Sequence, residues 1–213
     1  MDKVFEIYIR EKLIKSKTDF LSKKNLHPLL EQFRTIVKDI DINDTASKFE
    51  LEISTNIREW WTNKEKDVDT DVDLLAILFT YGSLDEFNSE ALAYGICKSD
   101  LLLNTKPEPY LLDSHDYANG FYAMPGITLT LRESLNRLHW RNIDEENKEV
   151  EIYYLDGRHQ LFDTFRHSIE LALHYALRNL KDKGELVSLK MNKPFHFLLQ
   201  EHDEKVRPIL IVE

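Results

Sequence analysis

Apolar residues recur at helical spacing through the N-terminal third of the chain. Phe5, Ile9 and Leu13 form an i, i+4, i+8 stripe, which predicts a helix over residues 4–14. Pro28 suits the first turn of a second helix. The apolar residues that follow it fall on one face of that helix: Leu30, Phe33, Ile36, Val37 and Ile40. The segment DINDT (41–45) is expected to end it, so residues 1–42 are predicted to be helical.

The middle of the chain favours strands. In KFELEIS (48–54), Phe49, Leu51 and Ile53 alternate with two glutamates, which is the period of a half-buried strand. A helix is the alternative, because Phe49 and Ile53 also share a helical face. Three further segments predict a central strand, a turn and a returning neighbour strand: 73–82, 83–89 and 90–98.

The C-terminal half predicts a long amphipathic helix followed by strands. A loop-like stretch, 104–126, comes first, and Thr130 and Glu133 then have capping-box spacing for a helix through about Trp140. A long helix is predicted over about 161–181. The remaining strands are predicted at EVEIYYL (149–155), ELVSLKM (185–191), PFHFLLQ (194–200) and VRPILIV (206–212).

This order of elements favours an α+β fold. Helices come first, and strands and helices then alternate too irregularly for a doubly wound parallel sheet. We predict a mixed, mainly antiparallel sheet with the long helix packed on it and a C-terminal β-hairpin. Pro208 cannot donate to a ladder, so its strand is expected at an edge or at a bulge. Residues 1–213 are interpreted as one domain, with a possible sub-boundary in the loop 104–126.

Charge is distributed unevenly along the 213 residues. Segment 1–38 has nine Lys/Arg against five Asp/Glu (+4), segment 39–116 six against eighteen (−12), and segment 117–213 thirteen against fifteen (−2), which sums to −10. The acidic middle disfavours nucleic acid as a partner and favours a basic protein. Cys97 is the only cysteine, which excludes a disulfide within the chain and zinc sites built from cysteine pairs. The N-terminus lacks the apolar centre of a signal peptide, and no apolar run could span a bilayer, so a cytoplasmic protein is expected.

The long helix carries a line of polar residues opposite its apolar side: Asp163, His167, Glu170, His174 and Arg178. Such a line usually faces water. The alternative is a metal-dependent or acid–base enzyme that uses Asp163, His167, Glu170 and His174. The order H-x-x-E-x-x-x-H matches no zincin or di-iron pattern, so no metal or other cofactor is expected. An enzyme would place this line beside a concave pocket with further ligands, whereas a binding protein would leave it on an open face.

Alternating aspartates precede the predicted central strand: Asp67, Asp69, Asp71 and Asp73. They resemble the start of a calcium loop. The required glycine and glutamate are replaced by Val72 and Leu78, so calcium is not expected. We interpret the aspartates as a surface for Lys or Arg side chains of a partner.

The loop 104–126 contains a second candidate for partner binding: His115, Tyr117, Phe121 and Tyr122. Tyrosine-rich loops provide a large contact area at low ordering cost. The chain lacks Walker A, dinucleotide-binding, nucleophile-elbow and C-x-x-C motifs. The sequence therefore favours a non-catalytic protein-binding function, of the kind found in bacterial immunity or antitoxin proteins that inhibit a basic toxin.

Overall fold

The computed structural model describes residues 2–66, 68, 71–82, 89–99, 105–138, 141–143 and 149–213. This part of the chain forms an α+β fold. Its α-helices are α1 (Asp2–Ser22), α2 (Pro28–Glu31), α3 (Phe33–Asp39), α4 (Ile42–Asn56) and α5 (Arg158–Asp182). Its strands are β1 (Leu74–Tyr81), β2 (Glu90–Ser99), β3 (His115–Tyr117), β4 (Met124–Thr128), β5 (Arg141–Ile143), β6 (Glu149–Glu151), β7 (Met191–Glu201) and β8 (Arg207–Val212).

The predicted N-terminal helices are confirmed as α1 and as α2 with α3, and α4 is an additional helix. Phe5, Ile9 and Leu13 of α1 are buried as their spacing requires. The preferred prediction of a strand at 48–54 was wrong, because these residues lie inside α4. The Asp41 carboxylate caps that helix by accepting hydrogen bonds from two main-chain N–H groups at 2.9 and 3.0 Å. Leu51, which a strand would place with the apolar face, is 69% exposed.

A six-stranded mixed sheet forms the centre of the fold. Its strand order is β3-β2-β1-β7-β8, and β4 also pairs with β2. The predicted central strand is confirmed as β1, which runs antiparallel to β2 and parallel to β7. The loop-like stretch 104–126 contributes β3 and most of β4 to this sheet. A separate two-stranded sheet joins β5 and β6.

The C-terminal hairpin of β7 and β8 is confirmed, and β8 is an edge strand. Pro208 lies opposite Leu198 beside a shift in register, which meets both conditions expected of a proline in a strand. Three other predictions were wrong in type, one of them only in part. The strand predicted at 149–155 is confirmed for Glu149–Glu151 (β6), but residues 152–154 form a 3₁₀ turn. Residues 185–188 also form a 3₁₀ turn instead of a strand, and Thr130–Arg137 is a 3₁₀ helix; Trp140 lies outside the described residues. Leu186 and Leu189 are both buried, and a 3₁₀ turn places residues three apart on one side.

Helix α5 is covered on two sides, by the sheet and α4 on one side and by α1 on the other. Its predicted apolar face is buried against the sheet and α4: Phe165, Ile169, Ala172 and Ala176. On its other side α1 packs antiparallel to it, through Ile9, Leu13 and Leu171. Within the described residues, no helix is both long enough and apolar enough to span a membrane.

Candidate functional site

A cleft of about 810 Å³ opens between α1, the N-terminal half of α5 and the turn end of the β7–β8 hairpin. This volume lies in the usual range of small-molecule sites. Six charged or titratable residues that line it are partly or fully buried: Asp163, Arg166, His167, Glu170, Glu201 and Arg207. Buried charges are costly unless they are paired, so their pairing determines what the cleft can do.

Arg166 joins the helix to the hairpin. Its Nε and Nη2 donate to Glu201 Oε2 at 3.1 and 2.8 Å, and its Nη1 donates to Asp163. Burial opposes the charge on Arg166, but Glu201 and Asp163 outweigh that effect and raise the pKa of the guanidinium. Glu201 lies opposite Tyr81 in the parallel pair of β1 and β7. The buried Tyr81 hydroxyl has no hydrogen-bond partner among the described residues, and its burial raises its pKa.

A second group links His167, Glu170 and Arg207. His167 Nδ1 lies 2.8 Å from Glu170 Oε2, and Arg207 Nε lies 3.0 Å from Glu170 Oε1. The arginine contact is close but poorly aligned for a hydrogen bond, so we treat it as an ion pair. Burial opposes ionisation of Glu170, whereas His167 and Arg207 favour it, and its pKa is lowered overall. The carboxylate holds the imidazole in one orientation and leaves Nε2 free to act.

The prediction that His167 and His174 are exposed was wrong. His174 is fully buried, and its Nδ1 donates to the main-chain oxygen of Ile209 on β8 at 2.8 Å. Burial lowers its pKa. The side chain of His167 is only 17% exposed, at the wall of the cleft. Helical periodicity identifies the side of α5 that meets the sheet, but it cannot show that α1 and β8 cover the opposite side.

The donor set of the cleft fits a metal ion poorly. Arginine nitrogens contact carboxylate oxygens of Asp163, Glu170 and Glu201, and His174 points away into the core. Within the described ranges, no three His, Cys, Asp or Glu side chains are arranged to hold an ion. The cleft thus has the concave shape expected of an enzyme, without the extra ligands that the metal-dependent alternative requires. His196 alternates with Phe195 and Phe197 along β7 and therefore lies on the opposite face of the sheet.

A cluster of tyrosines lies on the sheet face that is turned away from α5. The ring centroid of Tyr94 lies 5.2 Å from that of Tyr117 and 4.9 Å from that of Tyr122, and the centroids of Tyr117 and Tyr122 are 5.2 Å apart. His115 contacts Tyr117 at 4.9 Å. Tyr122 is 63% exposed and Tyr117 36%. Sequence reasoning missed Tyr94, although its alternation with the buried Ala93 in β2 indicates the outward face.

Phe121 does not belong to this cluster, because only 1% of it is exposed. Its ring fills the space where a side chain on Gly95 would be, 2.7 Å from that Cβ position, and it packs on Trp61 at 5.7 Å. The prediction that Phe121 offers surface to a partner is therefore not met in this structure. A glycine in the neighbouring strand admits the ring to the core.

The described aspartates lie at the same end of the sheet as His115. Asp71 and Asp73 precede β1, and Asp67 and Asp69 lie outside the described residues. Because β1 and β2 are antiparallel, the start of β1 lies beside the end of β2, where Ser99 pairs with His115. Two strand spacings, roughly 10 Å, separate β1 from β3 at this end of the sheet. We call this region the acidic–aromatic surface: Asp71, Asp73, Tyr94, His115, Tyr117 and Tyr122.

Comparison with known proteins adds no relative to this description. The chain matches no protein-family model, and neither the curated proteins nor the solved structures contain a significant match. The cleft and the acidic–aromatic surface are therefore the two features of the molecule from which a function can be inferred.

Proposed function

We propose that this chain is a non-catalytic binding protein that recognises a basic partner protein through the acidic–aromatic surface. The observation that carries the proposal is that a cluster of tyrosines from two separate segments covers one face of the sheet, and that Asp71 and Asp73 lie at the end of the sheet where His115 pairs. Asp71 and Asp73, Tyr94 of β2, and the His115–Tyr122 stretch all contribute to this surface. Two of these segments were selected from the sequence on independent grounds.

The chemistry of this surface suits lysine and arginine side chains. Exposed tyrosine rings bind cations over their faces and lose little entropy on contact. The side chain of Asp73 is 61% exposed, and its contact with Lys190, at 3.6 Å, is a weak surface pair that a partner can replace. Segment 39–116, which contains both aspartates and Tyr94, has a net charge of −12. An inhibitor of the immunity or antitoxin type, acting in the cytoplasm on a basic toxin, combines these properties.

A second function, acid–base chemistry in the cleft, is favoured by one specific observation. His167 is oriented by the buried carboxylate of Glu170 and lies at the wall of a concave site. A ring nitrogen held in this way is suited to accept or donate a proton. This alternative uses Asp163, His167 and Glu170 but not His174, which lies in the core.

Affinity capture from the native host with matched baits separates the two functions. The surface bait combines Tyr117→Ala, Tyr122→Ala, Asp71→Asn and Asp73→Asn, and the cleft bait has His167→Ala. A control bait has Tyr154→Ala and Asp203→Asn, which alter one tyrosine and one aspartate that are exposed elsewhere. We expect mass spectrometry to find a basic protein bound by the wild type, the cleft bait and the control, but lost by the surface bait.

A protein lost only by the cleft bait would reverse the assignment. Retention of every captured protein by the surface bait would contradict the proposed function. Thermal melts of all baits verify that the loss of binding does not reflect unfolding.

A further inference from the structure

We propose that the cleft binds a small molecule that carries an oxyanion group, phosphate or carboxylate, on an apolar body. This inference does not depend on the partner-binding function, because it concerns the opposite side of the sheet. It requires no catalysis either.

The carboxylates in the wall of the cleft already contact positively charged side chains of the protein. Asp163 and Glu201 share Arg166, and Glu170 lies between His167 and Arg207. A ligand cation would have to compete with guanidinium groups that are held at 2.8 to 3.1 Å. The cleft therefore offers little to a positively charged ligand.

Donors, by contrast, remain open. Arg207 approaches Glu170 through Nε, and among the described residues no protein hydrogen bond engages its two terminal nitrogens. Lys12 and Lys15 of α1 also line the cleft, and neither has a carboxylate partner in the described part of the chain. Each guanidinium presents several N–H groups in a plane that matches two oxygens of a carboxylate or phosphate. The unused bonding capacity of the site is thus that of an anion receptor.

The rim limits the size of the anion. Exposed Asp19 and Glu204 also line the cleft and would repel the successive phosphates of a nucleic acid strand. The rim therefore favours a small ligand over a polyanion.

An apolar wall completes the site. The Arg158 guanidinium stacks over the rings of Phe162 at 4.2 Å and Tyr153 at 4.4 Å, and all three residues line the cleft together with Pro107 and Pro109. Phe162 is buried beneath this guanidinium, so Tyr153 and the two prolines provide the apolar surface for a flat ligand body next to the anionic group. Phenyl phosphate and benzoate reproduce these two parts, with one anion type each.

Calorimetric titration with phenyl phosphate, benzoate and the neutral benzyl alcohol tests the proposal. The main variant is Lys12→Ala with Lys15→Ala, because both lysines are exposed and their loss should not affect folding. The matched control is Lys3→Ala, an exposed lysine of the same helix that does not line the cleft. Arg207→Lys is the second variant, and its fold is verified by a thermal melt.

We expect at least one anion to bind the wild type and Lys3→Ala equally, and to bind the double variant about tenfold more weakly or worse. Benzyl alcohol should bind much more weakly than the anions. The preferred anion then distinguishes phosphate from carboxylate ligands. Failure of both anions to bind the wild type would overturn the proposal. So would the finding that the double variant and the folded Arg207→Lys protein both bind the anions as tightly as the wild type does. If benzyl alcohol bound as tightly as the anions, the cleft would not select for an oxyanion, and the proposal would be contradicted.

Discussion

Arg207 Nε lies 3.0 Å from Glu170 Oε1, and this contact ties the edge strand β8 to the middle of α5. Only 4% of the Glu170 side chain and 15% of the Arg207 side chain are exposed. Removing one partner of such a pair strands the other charge in a site that water reaches poorly. The pair therefore links the stability of the hairpin to the shape of the cleft.

A double-mutant cycle should reveal this coupling. Arg207→Ala leaves the Glu170 carboxylate with His167 alone and should lower the free energy of unfolding by about 3–5 kcal/mol. The cost of Arg207→Ala combined with Glu170→Ala should fall short of the sum of the single costs by about 0.5–3 kcal/mol. Urea unfolding gives the free energy of unfolding of the wild type, the two single variants and the double variant. Lys98→Ala, which removes an exposed pair with Asp116, should cost at most about 1 kcal/mol. Strict additivity would show that the two buried residues act independently.

Packing around α5 predicts a graded series of stability losses. Ile169→Ala empties a fully buried position and should cost about 2–5 kcal/mol. His174→Ala should cost about 1–3 kcal/mol, because it leaves the buried carbonyl of Ile209 without its donor. His159→Ala, with a side chain 78% exposed, should change stability by about 0.5 kcal/mol or less. If His174→Ala resembled His159→Ala in urea melts, the buried placement of His174 would be wrong.

Buried neutral histidines should make the protein less stable in mild acid. Burial lowers the pKa of His196 to about 4, from an ordinary value near 6.5, and also lowers that of His174. As the pH falls below about 6.5, the unfolded chain takes up protons that these folded histidines refuse, so stability declines through the window down to about pH 4. His196→Phe should decline less steeply over that window. Urea midpoints from pH 7 to pH 4 measure both slopes, and parallel curves would argue against a neutral buried His196.

Association with a basic partner should depend on the aspartates that precede β1. Replacing Asp67, Asp69, Asp71 and Asp73 with Asn should slow association at low salt and leave the dissociation rate nearly unchanged. The difference should vanish as salt shortens the screening length, which is about 8 Å at physiological ionic strength. Stopped-flow kinetics across salt concentrations measure this. An association rate that ignores both salt and the substitutions would assign the acidity to solubility and leave the tyrosines as the basis of binding.

Local periodicity predicted those helices and strands whose buried faces are visible as apolar patterns in their own sequence. The unbroken apolar run of β1 indicates burial on both faces, and the stripe through Phe5, Ile9 and Leu13 indicates one buried face. KFELEIS satisfied both periods, and the capping carboxylate of Asp41 lies seven residues before it. Period alone could not decide that segment; the cap, together with the helical face of Phe49 and Ile53, could have favoured the helix.

The cleft was only half visible in the sequence. The polar line on α5 named Asp163, His167 and Glu170, but their cationic partners follow no helical or strand period. Glu201 and Arg207 lie 35 or more residues after the helix residues they contact, at the two ends of a hairpin turn. A charged residue at the inward-facing position of an apolar strand is the signal that could have identified each of them. Which side chains meet across elements depends on tertiary geometry, which no local pattern contains.

The two neighbours of β1 impose an order on folding. β2 follows β1 closely in the chain, whereas Ile77 lies opposite Phe197, 120 residues later. Closing so long a loop costs entropy before the parallel pairing repays it, so this contact forms slowly. We therefore expect the edge of β1 that β7 covers to stay open during synthesis until residues 191–201 have been made, and an open edge is a template for strands of other chains. The yield of refolded protein should accordingly fall with chain concentration, and a chaperone that shields β1 until β7 pairs with it should restore that yield.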